Sequence, residues 1–175
     1  NRARIVAAML EIVHSGETAP SAEQVAARAA VGLRTVFRHF QDMESLYREM
    51  SGVIAGELMA VAARPFRATD WRERVVELVE RRAFAFERIA PYQRALAAWR
   101  RRSKVQGAER QRLVAAAREI LTAQLPAAAA GDQPTLEALD LLLSYEAWAR
   151  LREDQGLSPT EARAAIEAAI RKLIA

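Results

Sequence analysis

The sequence contains no cysteine and only two histidines, which excludes several kinds of chemistry. Without cysteine, the chain forms no disulfide and no cysteine-ligated metal site. It also has no glycine-rich loop that would cradle phosphates. No apolar run approaches the roughly 20 residues that a membrane-spanning helix needs. We therefore expect a cytoplasmic protein with no metal, no cofactor, no membrane partner and no enzyme activity.

What is abundant in the sequence favours helix. The chain is 51% hydrophobic, enough for a real core, and it is rich in alanine, leucine, arginine and glutamate. Helix start and stop signals recur, and no segment reads convincingly as a strand. The sequence predicts an all-α protein of about nine helices. Residues 1–47 form an N-terminal helix-turn-helix domain of three helices, and residues 48–175 form a C-terminal helical bundle.

Prolines and capping residues set the expected helix boundaries. Pro91 fits the first turn of a helix, so we expect one helix over residues 70–89 and another from 91 to about 103. Residues 134–155 are expected to form a single long helix. The chain lacks a starting Met and opens inside a helical pattern, so we also expect residues before Asn1. The clearest helix starts are the capping signals at Ser21 with Gln24, Asp42, Asp70 with Glu73, and Ser158 with Glu161.

The most informative stretch is residues 21–47. A short helix to about Ala29, a tight turn over residues 30–32 and a second short helix have the geometry of a helix-turn-helix. Two core helices that meet at a corner are the alternative. Between residues 28 and 40 the chain carries no acid, which predicts a place where a phosphate backbone docks. The basic residues there are Arg28, Arg34, Arg38 and His39.

These residues resemble the helix-turn-helix of the tetracycline-repressor (TetR) family. Members typically read A-x-x-A-G-V-S-x-x-T, a hydrophobic residue, Y/F-x-H-F and then x-x-K-x-x-L. The resemblance covers roughly residues 2–47, and the helix count fits the remainder. The corresponding residues here are Ala26-Ala27-Arg28-Ala29-Ala30-Val31-Gly32-Leu33-Arg34-Thr35-Val36-Phe37-Arg38-His39-Phe40, followed by Gln41-Asp42-Met43-Glu44-Ser45-Leu46.

Three positions depart from the family pattern. Ala30 stands where the family prefers glycine, so a left-handed backbone there would be strained by roughly 1 kcal/mol. Gly32 replaces the usual serine, which removes a side-chain cap from the second helix. Met43 stands where a lysine commonly reaches a phosphate. Together these departures predict a DNA grip that is weaker, or that depends on a basic arm before Asn1.

The resemblance implies DNA-contact roles for seven residues. Arg34 and Arg38 would reach guanine O6 and N7, whose two acceptors match a guanidinium fork. Leu33 and Phe37 would meet thymine methyl groups. Ser21, Thr35 and His39 resemble phosphate-contacting positions, which orient the protein without specifying sequence. For His39 the alternative is a hydrogen-bonded packing histidine, and for Phe37 it is packing in the core.

The resemblance also implies a homodimer in which the last two long helices pair across a two-fold axis. Apolar stripes on both helices agree with this, and small alanines let helix axes approach closely. The alternative is that both stripes close a monomeric core. The interface residues that we expect are Leu139, Leu143, Ala162, Ile166, Ala169, Ile170 and Leu173.

A sensing pocket for an unknown small molecule is implied between the helices that begin near residues 70, 91, 108 and 134. Arg82 and Glu146 would fix a polar group of the ligand. The alternative for every such residue is ordinary core packing. The basic run Arg100–Lys104 is expected to be a solvated helix end. The pocket residues that we expect are Met59, Leu78, Arg82, Phe86, Trp99, Leu121, Glu146 and Trp148.

The sequence thus predicts a regulator of transcription that binds a double-stranded DNA operator as a homodimer. Repression released by the small molecule is the family's usual mode. The alternative is a helical ligand-binding or interaction module that has lost DNA binding. The three departures from the family pattern are the basis for this alternative.

Overall fold

A computed structural model describes residues 1–100 and 108–175, and the chain divides into two compact units. Unit 1 contains Asn1–Leu58 and residues 89–100, and unit 2 contains Met59–Arg88 and residues 108–175. This division differs from a single boundary after residue 47, because the chain returns to unit 1 at Ile89. None of the helices in the described residues is long and apolar enough to cross a membrane.

The described residues form ten α-helices and no strand, so the predicted all-α class is confirmed. Short loops connect most of them. The last turn of α9 widens into a π-helix at Arg150–Asp154. The helices are α1 (Arg2–His14), α2 (Ala22–Arg28), α3 (Leu33–His39), α4 (Met43–Ala62), α5 (Trp71–Arg100), α6 (Ala108–Thr122), α7 (Ala127–Gly131), α8 (Gln133–Leu142), α9 (Tyr145–Ala149) and α10 (Pro159–Leu173).

One long helix, α5, replaces the two that were expected around Pro91. It runs for 30 residues with the proline inside it, so the predicted break was wrong. A proline in a helix interior costs about 3 kcal/mol. Ile89 is buried before the proline and Ala95 after it, and this burial on both sides offsets the cost. Of the basic run Arg100–Lys104, only Arg100 lies within the described residues.

The expected single helix over residues 134–155 is also broken, at Leu143 and Ser144. The Ser144 hydroxyl accepts a hydrogen bond from the Ala147 N–H (3.1 Å) and donates one to the Leu141 carbonyl (2.7 Å). Serine competes in this way with helical hydrogen bonds and favours a cap. The freed Leu143 carbonyl accepts from Arg82 Nη1 (2.8 Å), so a residue of α5 stabilises the break.

The core of unit 2 gathers apolar side chains from α5, α6, α8, α9 and α10. Each large side chain buried in this way contributes about 1.5–3 kcal/mol. Partly buried Phe66, Trp71, Phe86 and Leu125 pack around this core. Its largest members are Leu78, Leu121, Leu136, Leu139, Leu143, Trp148, Ile166, Ile170 and Ile174.

The buried carboxylate of Glu77 holds the loop between α4 and α5. It accepts hydrogen bonds from the main-chain N–H of Arg67 (3.0 Å) and Ala68 (3.2 Å), and from Arg81 Nη2 (2.7 Å). Arg81 also donates to two loop carbonyls and lies 4.0 Å from the ring centre of Phe66. Burial by itself raises the pKa of Glu77, but these hydrogen bonds outweigh it, so the pKa is lower than usual.

Replacing Glu77→Gln should lower the free energy of unfolding by about 1–3 kcal/mol at neutral pH, since Arg81 loses its buried counter-charge. Because the pKa of Glu77 is lowered on folding, its contribution is present above the unfolded-state pKa and is lost as pH falls through the folded-state value. The loss should therefore shrink on acidification. Denaturant unfolding at neutral and acidic pH measures this, with Glu119→Gln on the exposed face of α6 as the control. An equal loss at both pH values would contradict the assignment.

Candidate nucleic-acid interface

The helix-turn-helix of unit 1 is built from α2 and α3, and both pack on α1. The first helix has apolar residues at helical spacing, including Ile5 and Met9, and both are fully buried. Val25 of α2 and Val36 of α3 are also buried, where these two helices pack on α1. The two helices have only seven residues each and are marginal in isolation. Their packing on α1 therefore decides how α3 is presented.

The turn between α2 and α3 closes as a Schellman motif. Val31 N–H donates to the Ala26 carbonyl (3.0 Å), and Ala30 N–H donates to the Ala27 carbonyl (3.1 Å). Ala30 adopts φ = +50°, the left-handed region in which an L-residue is strained. The strain expected from the replacement of glycine by alanine is therefore confirmed.

The start of α3 lacks the side-chain cap that the family's serine would supply. Gly32 is the N-cap residue, and no side-chain hydrogen bond caps the helix there. The Gly32 carbonyl accepts the first helical bonds, from Thr35 N–H (2.8 Å) and Val36 N–H (3.3 Å). The expected loss of a cap is confirmed. The following helix, α4, is well capped, because Asp42 Oδ1 accepts from Ser45 N–H (2.8 Å).

The outer face of α3 presents two arginines and two apolar side chains to solvent. Leu33 is 37% and Phe37 is 47% exposed, so the alternative that Phe37 packs in the core is wrong. Arg34 and Arg38 are exposed and make no ion pair or hydrogen bond with any residue that the structure describes. Unpaired arginines beside exposed apolar groups form a surface suited to a macromolecular partner.

The basic cluster seen in the sequence is smaller in the folded chain. Residues 28–40 contain no acidic residue, but Glu11 of α1 forms an ion pair with Arg28 (3.5 Å). The Nε2 atom of His39 is buried and has no hydrogen-bond partner within the described part of the chain. The exposed cations of α3 are therefore Arg34 and Arg38.

The other two predicted phosphate contacts have local structural duties. Ser21 is the N-cap of α2: its hydroxyl accepts from Gln24 N–H (3.2 Å), and its N–H donates to Gln24 Oε1 (2.7 Å). The predicted capping box is thus confirmed. Thr35 is half-buried in the first turn of α3. Whether either residue contacts a phosphate stays a prediction.

Four of the predicted pocket residues lie in the core of unit 2 or against it. Leu78, Leu121 and Trp148 are buried core members, and Phe86 packs against them. Trp148 Nε1 donates to Glu87 Oε1 (2.9 Å), so the indole is anchored to α5. Phe86 meets the Tyr145 ring edge-on at 5.6 Å. These four residues therefore have the surroundings expected of the alternative, ordinary core packing.

The remaining pocket residues are dispersed. Met59 is 47% exposed, and Glu146 is exposed and pairs with Arg110. Trp99 belongs to unit 1, where it stacks on Tyr47 at 4.5 Å. No group of three or more acids or histidines that could hold a metal ion occurs in residues 1–100 and 108–175.

Arg82 is the one cation among the predicted pocket residues, and its side chain is partly buried. It donates to the carbonyls of Leu143 (2.8 Å) and Ala117 (2.7 Å). Burial lowers the pKa of Arg82 to about 10, although the charge of Asp140 acts in the opposite direction. Its two hydrogen bonds join α5 to α6 and to the end of α8.

Most of the predicted dimer-interface residues are buried within the single chain, and their place in an interface stays a prediction. The structure buries five of the seven in the core of unit 2, because the apolar stripes of α8 and α10 pack against α5 and α6 within one chain. Of the others, Ala169 is half-buried and Leu173 is 40% exposed. The five buried residues are Leu139, Leu143, Ala162, Ile166 and Ile170.

Comparison with known proteins identifies the fold. No protein-family model and no curated protein matches the sequence. A TetR-family transcriptional regulator from Streptomyces coelicolor is similar in structure, with a TM-score of 0.72 and 17% identity over 98% of this chain and 79% of that chain. A putative transcriptional regulator from Streptomyces coelicolor A3(2) has a TM-score of 0.66 and 28% identity over 98% and 96%. The chain has the TetR-like fold, as its helix-turn-helix residues predicted.

Replacing Ala30→Gly should raise the free energy of unfolding by about 0.5–1 kcal/mol. Relief of the left-handed strain exceeds the extra conformational entropy that glycine brings to the unfolded chain. The control, Ala27→Gly on the exposed face of α2, should instead lower it by about 0.5–1 kcal/mol. Denaturant unfolding measures both values. If both glycines destabilised the protein equally, the turn would not store the strain assigned to it.

Proposed function

We propose that the protein is a sequence-specific transcriptional regulator that binds double-stranded DNA through the outer face of α3. The observation that carries this proposal is the pair of exposed, unpaired arginines Arg34 and Arg38 beside exposed Leu33 and Phe37. A guanidinium fork matches the O6 and N7 acceptors of guanine, and apolar side chains meet the methyl group of thymine. The TetR-like fold and the description of both structural neighbours as transcriptional regulators support the same reading.

The proposal divides the seven predicted DNA-contact residues into three groups. Arg34 and Arg38, with Leu33 and Phe37, would read base edges in the major groove. Ser21 and Thr35 would contact phosphates and set the register of the protein on the duplex. The buried Nε2 of His39 gives this residue a packing role in the free protein, so we leave it out of the contact set.

We further propose that the regulator is a homodimer built on the outer faces of α8 and α10. Each chain carries one helix-turn-helix. A two-fold dimer would place two of them about one DNA turn apart, so that both α3 helices could read successive major grooves. With the inner stripes buried in unit 2, the outer faces supply the apolar surface. Leu141 is 65% and Leu173 is 40% exposed, and Ala165 and Ala168 are exposed on α10.

The finer part of the proposal is repression that a small molecule releases. Arg82, Phe86 and Trp148 in unit 2 are the residues around which we expect the ligand to bind, since Arg82 is the one cation among the predicted pocket residues and is partly buried. A ligand changes DNA affinity only by its differential affinity for two conformations of the protein. The alternative function is a ligand-binding or interaction module that has lost DNA binding.

Selection from a randomised duplex library should enrich a preferred site, and Arg38→Ala should weaken binding to it by about 1–3 kcal/mol. The loss should concentrate at one base pair of each half-site, because a guanidinium reads one guanine. Fluorescence anisotropy with the preferred duplex and a scrambled one measures this. Arg112→Ala, which removes an exposed arginine from α6, is the matched control.

Three outcomes would contradict this interpretation, two of them about Arg38 and one about the whole protein. Equal losses on both duplexes would make it a phosphate contact. A loss with the control variant equal to that of Arg38→Ala would make the effect one of net charge. If the unmodified protein enriched no site and bound no duplex, the alternative without DNA binding would stand.

Replacing Leu141→Glu or, separately, Ala168→Glu should turn dimers into folded monomers at micromolar concentration, because a charge enters the apolar contact. Ile166→Glu should instead unfold unit 2, since this side chain is buried in the core. Sedimentation velocity reports the oligomeric state and circular dichroism reports the fold. Sedimentation of the unmodified protein as a monomer would refute the dimer.

A further inference from the structure

Arg2, in the first turn of α1, is half exposed, yet each of its three guanidinium nitrogens donates a hydrogen bond to the protein itself. Its Nε and Nη2 donate to Glu49 Oε1 (3.2 Å) and Oε2 (2.6 Å), a bidentate pair with α4. Its Nη1 donates to the main-chain carbonyl of His39 (2.7 Å), and the guanidinium lies 4.3 Å from the ring centre of Phe40. One side chain thus joins α1, α4 and the last residues of α3.

The place where Arg2 acts is the weak end of α3. This helix ends at His39, and Phe40 turns away into extended backbone with φ −130° and ψ 120°. The last carbonyls of a helix have no partner within it, and a cation there is favoured by the helix dipole. Arg2 supplies both the hydrogen bond and the charge. Near this end of the seven-residue helix, the side chains of Val36 and Phe40 are buried.

Electrostatics distinguishes Arg2 from the arginines on the outer face of α3. The hydrogen bonds with Glu49 raise the pKa of Arg2, and those with Arg2 lower the pKa of Glu49. The two charges therefore neutralise one another. A cation with a bidentate carboxylate partner releases no counterion from DNA unless it first leaves that partner.

From these contacts we propose that Arg2 is a positioning residue for DNA binding. It fixes the C-terminal end of α3 to Glu49 of α4, and it does not itself contact DNA. The proposal rests on the proposed function, because it assumes that α3 is the DNA-binding helix. It also makes Glu49, an acid within the DNA-binding unit, a residue that favours binding, which is the opposite of what its charge alone would do.

The test compares Arg2→Met, Glu49→Gln and the double variant in anisotropy titrations with the selected duplex at several salt concentrations. Each single variant should weaken binding by a similar factor, about 3- to 30-fold, since both release the same helix end. The double variant should be no worse than either, because the two residues act through one contact. The salt dependence should stay that of the unmodified protein. Arg112→Met is the control for loss of a positive charge.

The opposite result has a clear signature. If Arg2 contacts a phosphate, Arg2→Met lowers the slope of log affinity against log salt by about 0.9. Glu49→Gln then tightens binding, because it frees the arginine and removes a negative charge. Either observation would overturn the proposal.

A measurement without DNA separates this proposal from the function on which it rests. Amide hydrogen exchange of Phe40, whose N–H donates to the Val36 carbonyl (2.9 Å), should accelerate in both Arg2→Met and Glu49→Gln but not in Arg112→Met. Unchanged protection would refute the positioning role. Faster exchange in a protein that binds no duplex would support the structural role of the Arg2–Glu49 pair and reject the DNA-binding function. Circular dichroism shows whether each variant folds, and Glu49→Gln alone decides if Arg2→Met does not.

Discussion

Two seven-residue helices, α2 and α3, cannot maintain their own shape in water, and the proposed function depends on what holds them. Nucleating a helix is costly, and so short a segment gains too few hydrogen bonds to repay that cost. The packing of both helices on α1, with Val25 and Val36 buried, contributes the free energy that they lack. The turn between the helices contains Ala30 in the left-handed conformation. Arg2 donates a hydrogen bond to the His39 carbonyl at the C-terminal end of α3. Presentation of α3 is therefore a tertiary property.

Ion pairing distinguishes two pairs of arginines in unit 1. Arg2 and Arg28 have carboxylate partners on other helices, whereas Arg34 and Arg38 have none within the described residues. A carboxylate partner partly neutralises a guanidinium and occupies some of its donors, so a phosphate or a base gains less from it. The unpaired ones keep both for a partner. The same criterion explains why the basic stretch of residues 28–40 overstated the size of the candidate interface.

The apolar stripes of α8 and α10 show a related ambiguity between core and interface. A stripe on a helix reports that one face is buried, but it does not report whether the covering surface belongs to the same chain. Here α5 and α6 cover it, with Leu139 and Ile166 inside the core of unit 2. The surface left for a second copy is the less apolar outer face, where Leu141 stands out by its exposure.

Local sequence was enough to predict the helical class, the capping boxes at Ser21 and Ser158, and the position of the helix-turn-helix. These depend on interactions between residues three or four apart, which are readable along the chain. The strained turn at Ala30 was likewise predictable, because glycine alone adopts that conformation freely.

Tertiary structure alone decided what depends on distant neighbours. It kept α5 continuous through Pro91, because burial on both sides outweighs the lost hydrogen bond. It broke the helix at Ser144, where Arg82 from 61 residues away takes up the freed carbonyl. It also paired Arg2 with Glu49 across 47 residues, a contact with no signal in local sequence. Local pattern specifies the elements, whereas long-range packing and pairing select which side chains remain free to bind.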